Sequence, residues 1–298
     1  MKRKIIQHGP SSLTISIPAQ WVKKNNLKKG DEIEVIEKNK DLVIKSTQKT
    51  EHKTVEISFE KTSTKTQEEI LLSLHKKGYS SIKIKNIDDK IIKHIYSFLN
   101  TNQLSLEITK QEKNFVNIEN ISNPDDEQLD NLEKRTFRIL IEYSYKILQI
   151  LSSKESITEN CYLHESSIKR ISNYCKRIII KENNPTSIFN YLIIDNIEGV
   201  TRNFTEILKC IDKENSKILK NELFINTFNS IFELLQETYN LSNKFSIGRY
   251  STLNEELIRI EKELNKLKEN DKHITSIYLI NVSDNLKMIL NSILTMNI

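Results

Sequence analysis

The chain has 298 residues, 37% hydrophobic and 29% charged, with four Pro, five Gly and three Cys. That composition excludes a fibrous or wholly disordered protein, and the length allows one large domain or two to three ordinary ones. No apolar run reaches the roughly 18–20 residues that span a bilayer. The opening Met1–His8 carries charges without an apolar core, so no signal peptide is expected. Three Cys without paired spacing suggest reduced thiols, and the expectation is a soluble cytoplasmic protein with no membrane insertion. Ala19 is the only alanine, so helices must be found from periodicity and caps rather than from propensity.

The net charge of +5 is concentrated at the N-terminal end. Lys2, Arg3, Lys4, Lys23, Lys24, Lys28 and Lys29 all precede the first acid, Asp31, and residues 1–46 hold ten basic and five acidic side chains. A small basic unit on a nearly neutral remainder is the electrostatic footprint of phosphate-backbone binding.

Within residues 1–46, strands are expected at Arg3–Gln7 and Leu13–Ile17 around the turn cluster His8–Ser12. Pro18 is expected to open a short helix through Asn25, with Gly30 closing its exit, followed by a hairpin turning at Asn39-Lys40-Asp41. Such a unit has only about a dozen apolar side chains, too few for a stable core alone, and is expected to pair with a second copy. Trp21 fits that shared core better than a base-stacking role. Ser11 and Ser12 are ordinary turn residues.

The run Gly9-Pro-Ser-Ser-Leu-Thr-Ile-Ser-Ile-Pro18, then Trp21-Val22-Lys23-Lys24, Leu27 and Gly30-Asp31-Glu32-Ile33-Glu34-Val35 resembles the AbrB/SpoVT swapped-hairpin domain. That resemblance implies an interleaved dimeric β-barrel. It also implies DNA contacts on the first strand, the loop after it and the helix, which here are Lys2, Arg3, Lys4, His8, Lys23 and Lys24.

Residues 50–122 alternate strand and helix in the order β-α-β-α-β-β, a small α/β connector without a Gly-rich phosphate loop or nucleophile motif. From Asn123-Pro124 onward the pattern is helical. Six apolar stripes follow, for example Cys161, His164, Ile168, Ile171, Cys175 and Ile178, spaced 3-4-3-4-3. They predict two consecutive three-helix bundles, 123–213 and 214–298. The whole is an α+β multidomain protein: 1–46, 50–122 and the two bundles.

The third stripe of each triplet repeats. Asp195–Ile207 aligns without gaps to Asn281–Ile293. A duplicated triplet of this kind resembles the PhoU phosphate-uptake regulators, and with the swapped-hairpin head it resembles the archaeal form of that family. This implies a regulator of phosphate homeostasis acting on transcription, on phosphate-transporter components or on a sensor kinase. PhoU-like helices often carry a carboxylate pair at i and i+4 for metal. Here Glu198 and Asp284 keep the first position, but Arg202 and Met288 replace the second. Glu198 and Arg202 are therefore expected to form an exposed i,i+4 ion pair, with no metal and no cofactor bound. Cys161, His164 and Cys175 are expected in the core rather than around a soft metal. No Ser-His-Asp arrangement or His-x-x-x-His appears, so no enzyme is expected. Two alternatives remain: a protein–protein regulator whose first domain only dimerises, and an antitoxin-like partner.

Overall fold

The computed structural model describes residues 3–10, 12–38, 41–46, 53–102, 105–121, 126–153, 157, 159–182, 186–219, 221–270 and 274–298. Two compact units emerge, Met1–His52 and Lys53–Ile298. No helix is long and apolar enough to cross a membrane among the described residues.

The first unit holds β1 (Ile5–Gln7), β2 (Leu13–Ile15), α1 (Ala19–Lys24), β3 (Ile33–Lys38) and β4 (Asp41–Ser46). β1 pairs with β2 and β3 with β4, both antiparallel, and the two pairs are separate two-stranded sheets. The expected barrel is therefore not closed within one chain. With three residues per strand in the first hairpin, a single copy has too few strands to curl around a core. Pro18 stands just before α1, one position earlier than expected. The exit differs as well. Asn26, at φ 53°, makes the left-handed turn, and the Leu27 N–H reaches back 3.0 Å to the Val22 carbonyl. Gly30, at φ 97°, serves the next turn, where the Lys28 N–H donates 2.7 Å to Asp31 Oδ2.

The second unit begins with the expected β-α-β-α-β-β order: β5 (Thr54–Ser58), α2 (Thr64–Lys76), β6 (Ser81–Lys85), α3 (Asp89–Asn102), β7 (Leu106–Glu112) and β8 (Phe115–Asn120). The sheet order is β5-β6-β8-β7, with β5 and β6 parallel and the other neighbours antiparallel. Ser63 caps α2 by accepting from the Thr66 N–H at 3.2 Å, and Asp88 accepts from the Ile91 N–H at 2.8 Å before α3. Strand residues Ile82, Ile84, Val116 and Ile118 alternate inward and pack with Phe59, Leu71, Ile95 and Phe98 as one core.

Six helices follow: α4 (Asp126–Ser153), α5 (Leu163–Glu182, after a 3-10 turn), α6 (Ser187–Ile218), α7 (Glu222–Asn243), α8 (Ile247–Asn270) and α9 (Ile274–Asn297). Their apolar stripes are buried, from Tyr143 and Ile147 through Ile197 and Phe204 to Leu257 and Leu286. One continuous core takes residues from all six helices. α6 and α9, the third member of each triplet, pack on each other over the longest stretch, so the two triplets share their interior. Asn281 Nδ2 donates 3.3 Å to Asn203 Oδ1, while Gly199 lies against Asn285. These pairings show an antiparallel crossing, and Gly199 and Asn285 are equivalent positions in the gapless alignment. The repeated segment therefore meets its own copy about a local two-fold.

Candidate nucleic-acid interface

The first unit has no buried hydrophobic side chain among its described residues. Antiparallel pairing sets Ile5 opposite Ile15 and Gln7 opposite Leu13. Ile5 is 69% exposed and Leu13 71%, and Ile6, Ile15, Val35 and Leu42 are each more than half exposed. Trp21 and Val22 on α1 are only half-buried. So much uncovered apolar surface on a unit this small marks an interaction surface.

The same unit carries the cations. Arg3, Lys4, His8, Lys23 and Lys24 are exposed; Lys2 lies outside the described residues, as does Ser11. Arg3 and Lys4 precede β1 and His8 follows it, so Lys4 and His8 are about 13 Å apart along an extended strand. Lys23 and Lys24 form the last turn of α1. The His8 N–H donates 2.8 Å to the Ser12 carbonyl, fixing the turn between β1 and β2. Lys28 and Lys29, in the turn before Asp31, are also exposed. They belong to the acid-free run before Asp31 but not to the DNA contacts that the resemblance implies. Lys4, Lys23, Lys24, Lys28 and Lys29 make no side-chain ion pair among the described residues.

The candidates in the second unit fall differently. Glu198 does not pair with Arg202. Its Oε2 lies 3.0 Å from Lys176 Nζ on α5, which also meets Asp195 Oδ1 at 2.6 Å. Lys176 is 1% exposed, and its ammonium sits 5.4 Å from the centre of the Tyr191 ring. Burial alone would lower its pKa, but Glu198 and Asp195 outweigh that and hold it above the usual lysine value. The expected exposed i,i+4 pair is thus replaced by a longer-range one, because a buried ammonium needs carboxylates more than an exposed guanidinium does. Arg202 instead lines a shallow groove with Glu165, Lys169 and Thr201. Asp284 is exposed on α9. No group of three or more His, Cys, Asp and Glu side chains gathers among the described residues.

Cys161 and Cys175 are core residues, and burial pushes the Cys175 thiol upward. His164 stacks on Tyr143 with ring centres 5.1 Å apart, while the Tyr143 hydroxyl lies 3.0 Å from Thr205 Oγ1. This is packing, with hydrogen bonds completed.

The first unit is thus a hairpin–helix–hairpin with an uncovered apolar surface and exposed cations. Consistently, residues 6–52 match the family model described as antidote-toxin recognition MazE, bacterial antitoxin. The match covers the N-terminal unit and none of the helical body. No curated protein and no solved structure matches the chain.

Proposed function

We propose that the protein is a DNA-binding regulator rather than an enzyme, acting as a homodimer through its first unit. The carrying observation is the coincidence there of an uncovered apolar surface with exposed lysines. Pairing two copies buries the first and sets two sets of the second on one body, where they meet phosphates through Arg3, Lys4, Lys23 and Lys24, with Lys2 and His8 beside them. Domains of the MazE/AbrB type, to which this unit is similar, are typically dimeric and DNA-binding. The helical body is read as PhoU-like, making phosphate status the regulated quantity and phosphate-transporter components or a sensor kinase its protein partners. The self-meeting repeat of α6 and α9 supports that reading. A second reading, neutralisation of a toxin protein, is favoured by the description of the matched family.

The test is retention of duplex DNA by the full chain across a salt series. K23E/K24E should weaken binding evenly across sequences and flatten the salt slope by about 0.9 per lost phosphate contact, about 1.8 per protomer. Absence of DNA binding at low salt overturns the proposal in favour of a protein-only regulator.

A further inference from the structure

The second unit contains two hydrophobic cores that do not merge, one in the α/β module and one in the six-helix body. α5 stands between them, touching α2 and α3 on one side and α4 and α6 on the other. Its residues 171–179 are all buried. Ile171, Cys175 and Ile178 enter the body's core. The face toward the module is polar instead. Arg177, 1% exposed, donates through Nη1 to the carbonyls of His75 at 2.7 Å and Tyr79 at 2.8 Å. These carbonyls end α2 and the left-handed Gly78 turn after it, so Arg177 fastens the module to the body by a helix terminus.

The fastening is incomplete. Arg177 Nε and its second terminal nitrogen have no hydrogen-bond partner among the described residues, and neither do Asn173 Nδ2, Ser172 Oγ or Arg170 Nε. Among the described residues no carboxylate pairs with Arg177, whose burial brings its pKa down to about 10. Lys181, on the same face one turn later, is held below its usual value by burial and then by Arg177 and Lys53. A permanent internal surface is apolar or fully bonded, whereas a half-bonded layer of donors gains water when it parts. Polar surfaces between subdomains are also the ones that move.

We infer that the α/β module docks reversibly on the helical body, parting along the α5 seam, with Arg177 as the latch. Opening frees the segment that follows the N-terminal unit in the chain while leaving the six-helix core closed.

Two thiols in the full chain test this. Asn173→Cys reports the seam, one turn from Arg177, and native Cys175 reports the body's core. Maleimide labelling without denaturant, resolved by peptide mass, should modify position 173 at least about 100-fold faster than Cys175. Adding Arg177→Ala should raise the rate at 173 roughly tenfold and leave that at Cys175 unchanged. Equal rates at the two thiols, or equal acceleration by R177A, overturn the inference. Should Asn173→Cys fail to fold, hydrogen exchange in the unmodified chain gives the same answer. The Gly78 and Tyr79 amides should then exchange ahead of those in α6, and exchange only at the global rate overturns it.

Discussion

The α6–α9 crossing can be tested at one atom. A Cβ added to Gly199 would sit 2.2 Å from Asn285 Oδ1 and 2.8 Å from its Cγ. That amide cannot swing freely, because its Nδ2 donates 2.5 Å to the Asn281 carbonyl. Two opposed terms act on Gly199→Ala. The helix gains about 1 kcal/mol from replacing glycine, while overpacking costs about 1–3 kcal/mol. The single variant should thus be destabilised by up to about 2 kcal/mol, against the direction that propensity alone gives. In an Asn285→Ala background the clash disappears, and the same change should stabilise by about 1 kcal/mol. Urea unfolding of the four proteins, followed by far-UV circular dichroism, yields a coupling energy of about 1–3 kcal/mol equal to the clash. If Gly199→Ala stabilises equally in both backgrounds, the helices do not approach closely there and the local two-fold is wrong.

The remaining predictions concern buried charge. Asp195→Asn with Glu198→Gln strands the Lys176 ammonium and should cost about 3 kcal/mol, the low end for a broken buried pair because Asp195 is half exposed. Lys176→Met in that background should recover most of the loss, by the same denaturant assay. In the native protein this network's contribution is present below the unfolded lysine pKa and is lost as pH climbs through the raised folded value. His75 behaves oppositely. Burial first, then Arg177, Lys76 and Lys181, brings its pKa down to about 3. It therefore stays neutral when folded, and its contribution is complete above about pH 6.5 and lost as pH falls from there toward 3. Stability should fall by up to about 1.4 kcal/mol per pH unit from this group, and His75→Gln should remove one proton's worth of that slope.

What was legible in the sequence was periodicity; what was not was partnership. The 3-4 stripes of Ile168, Ile171, Cys175 and Ile178 located the core face of α5 because a helix repeats every 3.6 residues wherever it packs. They could not say that both triplets bury those stripes in one interior. The start of α2 at Thr64 has little signal in the sequence, because Thr64-Lys-Thr-Gln has no apolar period and only the Ser63 cap marks the boundary. Local rules also named the wrong partner for Glu198. Spacing offered Arg202 one turn away, whereas the fold supplied Lys176 from the neighbouring helix. Arg177 was invisible as an interior group, since its acceptors are backbone carbonyls 102 and 98 residues upstream. In the first unit the opposite held. Too few apolar residues for a core could be counted from the sequence, and the structure leaves those residues uncovered.

That uncovered surface and the charge on it pull pairing in opposite directions. In the proposed pair, Ile5, Leu13, Ile15, Val35 and Leu42 are the exposed apolar side chains there to be buried, and burial favours association by about 25 cal/mol per Å² of apolar surface removed from water. It also doubles a charge of +5 on residues 1–46 within one small body, which opposes association at low ionic strength. Added salt screens that repulsion over about 10 Å at 0.1 M and strengthens apolar burial where the anion is sulfate. The same salt competes with lysine for phosphate and weakens DNA binding. Dimerisation and DNA binding should therefore show opposite salt dependences. Sedimentation equilibrium should give a tighter dimer from 50 to 300 mM sodium sulfate as DNA retention falls, and a DNA duplex at low salt should itself tighten the dimer by neutralising the repulsion. A dimer that loosens with salt in step with DNA would mean that ion pairs, not the buried apolar surface, hold the two copies together, and the proposed origin of the pairing would fail.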